Sequence, residues 1–257
     1  MSVEPLSAAE MSAWERDGFV LRRALFDPQE MQALLDHARQ DESLRASAYG
    51  RKDATGAETK LALWNTPRDD LYGLFSRSPR IVRRMEQLLG EEVYHWHTKM
   101  MLKEPLVGGA WEWHQDYGYW YHNACLAPNL ASCLIAVDKA SRENGCLQVL
   151  RGSHRLGRID HGKTGDQTGA DLERVEQALK RHELIYVECQ PGDALFFHAN
   201  LLHRSDQNRS ADPRWSLICC YNTRSNSPYQ ETRHPPYAPL ELADDQAIRQ
   251  WANRAAK

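Results

Sequence analysis

The chain has no apolar run approaching the ~20 residues of a membrane-spanning helix. Its first residues, MSVEPLSAAEMSAWERDG, lack the basic stretch and apolar core of a secretion signal. The expectation is a cytoplasmic protein. Net charge is small, -3 over 257 residues, so the basic footprint of a nucleic-acid or anionic-lipid binder is missing and a small-molecule partner is favoured. Cysteine is sparse and unpatterned. Cys125, Cys133, Cys146, Cys189, Cys219 and Cys220 form no CxxC pair and no disulfide framework, and read as buried free thiols. Internal repeats and low-complexity linkers are also missing, which leaves a single domain over 1–257 as the simplest organisation. With 42% hydrophobic and 26% charged residues, the chain can bury a sizeable core.

Before about residue 92 the signals are helical. Ser7 with Glu10 forms a capping box, and Asp27, Pro28 and Glu30 open a second helix running to about Gln40. A third helix runs from Ser78-Pro79 to Gly90. Ile81, Val82, Met85, Leu88 and Leu89 give it an apolar stripe, and its arginines (Arg80, Arg83, Arg84, with Arg77 just ahead) read as a solvated face. The polar, glycine-containing segment 50–60 reads as a surface loop, placed so that it could cover a site. From Val93 the pattern changes to short alternating or apolar runs at 93–102, 110–116, 131–138, 146–150, 184–189, 194–198 and 214–222. Strands at such spacing predict a sandwich or barrel over about 93–222, braced by the N-terminal helices. One helix interrupts it at 171–181, and another is expected at 240–255 within a C-terminal tail over 223–257.

The segment Trp111-Glu112-Trp113-His114-Gln115-Asp116-Tyr117 puts His114 and Asp116 two apart on a predicted strand, hence on one face. An imidazole and a carboxylate converging in this way supply two of the three ligands of the facial triad that holds iron(II) and leaves positions open. A His-x-Asp pair alone is common, so the surrounding segments matter. Pro191-Gly192-Asp193 feeds an apolar strand, after which come His198 and His203, an odd number of positions apart. On a regular strand only one of them reaches the metal, and the choice falls on His203. Further on, Arg214 and Ser216 share a face at the head of another strand, a guanidinium fork and a hydroxyl suited to a carboxylate.

In their order, Trp113-His114-Gln115-Asp116, Asn144-Gly145-Cys146-Leu147-Gln148-Val149, Gly152-Ser153-His154-Arg155, Pro191-Gly192-Asp193, His203 and Arg214 resemble the phytanoyl-CoA dioxygenase family, nearest to its ectoine hydroxylase branch. The resemblance covers about residues 95–222. It implies a mainly β, double-stranded β-helix (a cupin-like jelly roll), iron(II) held by His114, Asp116 and His203, 2-oxoglutarate anchored at Arg214 with Ser216, and O2 as the second co-substrate. It also supports His203 over His198, and makes the Gly152-Ser153-His154 loop structural. Related halogenases carry Gly or Ala at the carboxylate position, so Asp116 implies hydroxylation; desaturation, ring closure and stereoinversion use the same oxidant and stay open. In ungapped alignment the glutamine and arginine of the ectoine hydroxylase substrate strand are replaced by His97 and Lys99, so the expected substrate is not ectoine. These two residues, with Trp111 and Trp120 as aromatic walls, are the expected substrate contacts, suited to a small molecule with a carboxylate or phosphonate and an apolar body. Most of the surrounding aromatics, Trp113 and Tyr117 among them, read as packing. Two other readings use the same residues. A cupin-like metal enzyme without 2-oxoglutarate would assign Arg214 to packing or a surface ion pair. A non-catalytic binding domain would carry a broken triad.

Overall fold

The computed structural model describes residues 3–164 and 166–255. Helix α1 (Ala8–Asp17) begins at the reciprocal Ser7–Glu10 box and stops at left-handed Gly18. Strand β1 (Phe19–Arg22) leads to α2 (Pro28–Gln40), opened by the Asp27–Glu30 box with Pro28 in its first turn. The short α3 (Glu42–Ser47) follows.

Residues 50–60 are not a loop. They belong to a hairpin of β2 (Tyr49–Lys52) and β3 (Glu58–Trp64), whose turn is tied by Asp53 accepting from the backbone N–H groups of Thr55, Ala57 and Ala110. Within 50–60 only Ala54 and Ala57 are apolar, which is why the composition of that stretch reads as a loop. Next come α4 (Leu71–Ser76) and α5 (Pro79–Leu89). The stripe on α5 is buried as expected, Ile81, Val82 and Met85 almost completely, each side chain contributing roughly 1.5–3 kcal/mol of transfer free energy. Of its arginines Arg83 is solvent-exposed as expected, but Arg80 and Arg84 are not. Arg80 pairs with Glu30 (2.7 Å) and Asp245 (3.2 Å), and buried Arg84 donates to the carbonyls of Arg80 and Glu4.

Ten further strands complete the sheets: β4 (Val93–Lys103), β5 (Trp111–His114), β6 (Leu130–Ala136), β7 (Leu147–Leu150), β8 (His161–Thr164), β9 (Gln167–Ala170), β10 (Leu184–Val187), β11 (Ala194–His198), β12 (His203–Ser205) and β13 (Arg214–Thr223). Between them lie α6 (Asp116–Trp120) and α7 (Leu172–Leu179), and α8 (Ala247–Ala255) ends the described chain, starting later than its expected residue 240. A seven-stranded sheet has the order β1-β11-β6-β13-β4-β3-β2, and a four-stranded sheet the order β10-β7-β12-β5; β8 and β9 form a separate hairpin. All strand pairings are antiparallel. This is a jelly-roll arrangement.

The large sheet is covered on both faces, so β13 is buried along its whole length. Leu217, Cys219 and Tyr221 meet the helices, while Ile218 and Cys220 face the space between the sheets. All six cysteines are buried and free. Among the described residues, no helix is long and apolar enough to cross a membrane.

The turn Pro191-Gly192-Asp193 sets the start of β11. Gly192 has φ +90°, donates to Ala136 O and accepts from Phe26 N; a Cβ there would lie 2.2 Å from Phe26 O. Gly192→Ala is therefore expected to destabilise the fold by about 1–3 kcal/mol, lowering Tm by several degrees. Thermal unfolding of the two proteins checks this, and an unchanged Tm would contradict the strain.

Candidate active site

His114 closes β5, and β12 lies antiparallel beside it with His203 in register opposite. The two rings stand 4.0 Å apart. His114 Nδ1 bonds the carbonyl of Glu112 (2.8 Å) and His203 Nδ1 that of Leu201 (2.9 Å). A ring nitrogen facing a carbonyl carries the hydrogen, so each Nε2 is left with its lone pair.

The predicted strand ends two residues early. Asp116 is not on β5 but in the first turn of α6, where the chain swings round and brings its carboxylate back to the histidines. Gln115 holds that corner: its Nε2 donates to Gly157 O and Asn200 O, its Oε1 accepts from Ile159 N, and its own N–H donates to His161 Nε2. Asp116 Oδ1 then lies 3.8 Å from His114 Nε2 and 4.0 Å from His203 Nε2, while Oδ2 accepts from Ser132 Oγ at 2.7 Å. The three ligand atoms fall within 4.8 Å of one another.

Burial, helped by the neighbouring ring, holds His114 well below the usual imidazole range, and burial also lowers His203 against the pull of Asp116. Burial acts to raise Asp116, but Lys99, His203 and the Ser132 hydroxyl outweigh it and keep the carboxyl below its ordinary value. Two neutral imidazoles and one carboxylate on one side of a point match the donor set of a 2-His-1-carboxylate centre. His198 is elsewhere. Strand β11 ends at it, before β12 begins, and its ring packs against Trp14 and His154.

Arg214 and Ser216 face the interior, with Arg214 Nη2 on Gly145 O (2.8 Å), Nη1 near Ser216 Oγ (3.4 Å) and Nε without a partner. Opposite Arg214 in the β4–β13 register is Lys103, almost fully buried, whose Nζ donates to Ser205 Oγ (2.8 Å) and to Asp206 O. Among the described residues neither cation has a carboxylate in ion-pair contact. Burial lowers Arg214 to about 10, and burial together with Arg214 pushes Lys103 well below the usual lysine range. Lys103 and Ser205 were missed in the sequence. The inward alternation of His97, Lys99 and Met101 extends to Lys103, one residue beyond the predicted end of the strand.

On the metal-binding side of the interior lies a cavity of about 620 Å³ that reaches Asp116. His97, Lys99, Trp111 and Trp120 all line it. Lys99 Nζ sits 3.8 Å from Asp116 Oδ1; burial opposes its charge, but Asp116 outweighs that and raises it. Trp113 and Tyr117 do not line the cavity. Trp113 packs with Ile159 and Leu202, and the Tyr117 hydroxyl donates to the carbonyls of Cys125 and Leu126. Unanticipated walls come from Tyr49 and Arg51 on β2, Lys163 on β8 and His234 after β13. No local pattern marks these, since they meet only through tertiary contacts.

The chain is 31% identical over 184 residues to an L-proline trans-4-hydroxylase of Streptomyces griseoviridis, covering 65% of this chain and 68% of that protein. It is 26% identical over 250 residues to an ectoine dioxygenase of Halomonas elongata, covering 90% and 75%. Among solved structures it is similar to EctD from S. alaskensis with 2-oxoglutarate and 5-hydroxyectoine, at TM-score 0.78 and 22% identity over 93% of this chain and 87% of that one. It is also similar to the epimerase SnoN, at TM-score 0.75 and 19% identity over 93% and 96%. These likenesses give the same double-stranded β-helix fold. Residues 14–216 match the sequence pattern of the family described as Phytanoyl-CoA dioxygenase (PhyH), and the chain belongs to that family.

Proposed function

We propose that this protein is an iron(II)- and 2-oxoglutarate-dependent dioxygenase that hydroxylates a C–H bond of a small molecule, acting as one oxygenase domain over residues 1–257. The proposal rests on the convergence of His114, Asp116 and His203 in an interior that also holds Arg214 and Lys103, neither of them, among the described residues, in ion-pair contact with a carboxylate. Bound iron(II) supplies the activation of O2 at the expense of 2-oxoglutarate, one oxygen atom passing to the substrate and the other to succinate as carbon dioxide leaves.

The chain's own residues do the placing. The side chains of His114, Asp116 and His203 would hold the metal, with Ser132 fixing the carboxylate through Oδ2. Arg214, Ser216 and Lys103 secure the far carboxylate of 2-oxoglutarate, whose negative charge complements buried Arg214 and favours the protonated form of Lys103. A surface ion pair for Arg214 is hard to reconcile with its burial, and a broken triad with three donors inside 4.8 Å. With an aspartate as third ligand, the position a halide would take is filled, which favours hydroxylation.

The relatives named for L-proline and ectoine support a small, amino-acid-like substrate. His97 and Lys99, between Trp111 and Trp120, are the contacts we assign to it, with Lys99 taking an acidic group.

Succinate formation from 2-oxoglutarate under air with iron(II) is expected for the wild type and lost to background in His114→Ala, Asp116→Ala and His203→Ala. Folded, iron-loaded wild type that neither binds nor consumes 2-oxoglutarate would sink the proposal. Arg214→Met and Lys103→Met are each expected to weaken 2-oxoglutarate binding by about 30-fold or more, read by calorimetric titration; unchanged affinity would remove that residue from the anchor. Ser132→Ala is expected to cost about 10–100-fold in iron(II) affinity in a chelator competition, and wild-type affinity would show the hydroxyl to be idle.

A further inference from the structure

Strand β4 is irregular where it passes the cavity. Its pairing with β13 matches His97 to Cys220 and His95 to Tyr221, leaving Trp96 unpaired. Such a bulge turns two consecutive side chains to one side: Trp96 joins the interior cluster and His97 lines the cavity. The segment after β13 returns over this point, held by Asn65 Nδ2 donating to Arg233 O and by Tyr237 N donating to Ser227 Oγ. It lays His234 flat on Trp96, with centroids 4.1 Å apart and 12° between planes, and 5.5 Å from His97. Trp120 stands edge-on to His97 at 5.7 Å.

His97 is only 4% exposed, yet neither of its ring nitrogens has a hydrogen-bond partner, and neither do His234 Nδ1 and Trp96 Nε1. Buried polar atoms are ordinarily satisfied, and each one left unpaired costs about 1–3 kcal/mol. Burial, with Lys99 nearby, keeps His97 well below the imidazole range, and burial also lowers His234. Both rings are therefore uncharged; neutral His97 offers one donor and one acceptor, and His234 adds its unpartnered Nδ1. An anion or a cation finds no counter-charge in this pair; a group that itself both donates and accepts finds both complements.

We infer that His97 and His234 form a specificity subsite for an uncharged hydrogen-bonding group of the substrate, such as a carboxamide, a hydroxyl or a lactam. This rests on the oxygenase reading and adds to it that the small acid carries such a group away from the carboxylate. It also gives the C-terminal segment a part in substrate choice.

The test uses the whole, iron-loaded enzyme and matched acids that differ by one uncharged polar group: L-asparagine and L-leucine, L-threonine and L-valine, 4-hydroxy-L-proline and L-proline. Stimulated succinate formation is compared within each pair as a ratio of kcat/KM. In the wild type at least one polar member is expected to be favoured by about ten-fold or more. That ratio should fall towards one in His97→Leu and in His234→Phe, and persist in His97→Gln, whose amide keeps a donor and an acceptor. A ratio that survives either apolar substitution, apolar members that serve as well, or a panel in which nothing stimulates overturns the inference. Unstimulated 2-oxoglutarate consumption by the wild type separates the two levels: if it is present without selectivity, only the subsite fails, and if 2-oxoglutarate is neither bound nor consumed, the oxygenase reading fails with it.

Discussion

The site depends on one strand pairing. The three-residue β12 lies between β5 and β7, with His203 opposite His114 on one side and Val149 on the other. Side chains alternate with period two, so a slip of one residue would turn His203 away and leave His114 without its partner. The same register carries Ser205 inward to Lys103. Gln115 then fixes the corner after β5 through four hydrogen bonds, and that corner determines where Asp116 arrives. A short strand thus organises two clusters of charge, at His203 and at Ser205.

The interior is electrostatically unbalanced. Asp116 lies in ion-pair range of Lys99, while the carboxylates that act on Lys103 and Arg214, Asp53, Asp206 and Asp138, stay outside ion-pair contact. Taking an ion out of water costs several kcal/mol even after relaxation, a large share of the 5–15 kcal/mol that holds a typical domain folded. The opposite face of the large sheet offsets this, where Leu34, Phe75, Ile81, Met85 and Leu217 form a dry apolar cluster. Apolar burial continues between the sheets around Trp96, Leu195 and Phe197, so the polar groups of the site are set into a packed interior on that side as well.

Local signals carried much of the fold. Capping boxes at Ser7 and Asp27, and Pro79 after Ser78, mark helix starts through bonds formed within a few residues, so they read directly from sequence. The long, doubly covered strands β4 and β13 read as apolar runs. The short strands β1, β8, β9 and β12 lie outside the runs that show in the sequence, whereas β5, β7 and β10, equally short, sit in apolar or aromatic runs. Arg84 reads as solvent-facing because its burial depends on carbonyls, among them that of Glu4, eighty positions away.

By itself, the sequence determined the chemical inventory: His114, Asp116, His203 and Arg214 in motifs whose order identifies the family, and the strand parity that makes Arg214 and Ser216 neighbours. Those are properties of residue type and short-range periodicity. Tertiary structure alone decided how the inventory is arranged. It moved Asp116 off the strand onto α6, paired Lys103 with Arg214, and set His234 against the bulge at Trp96. Each of these depends on register between segments distant in the chain, and register is set by the simultaneous packing of both sheets, which no single stretch of sequence contains.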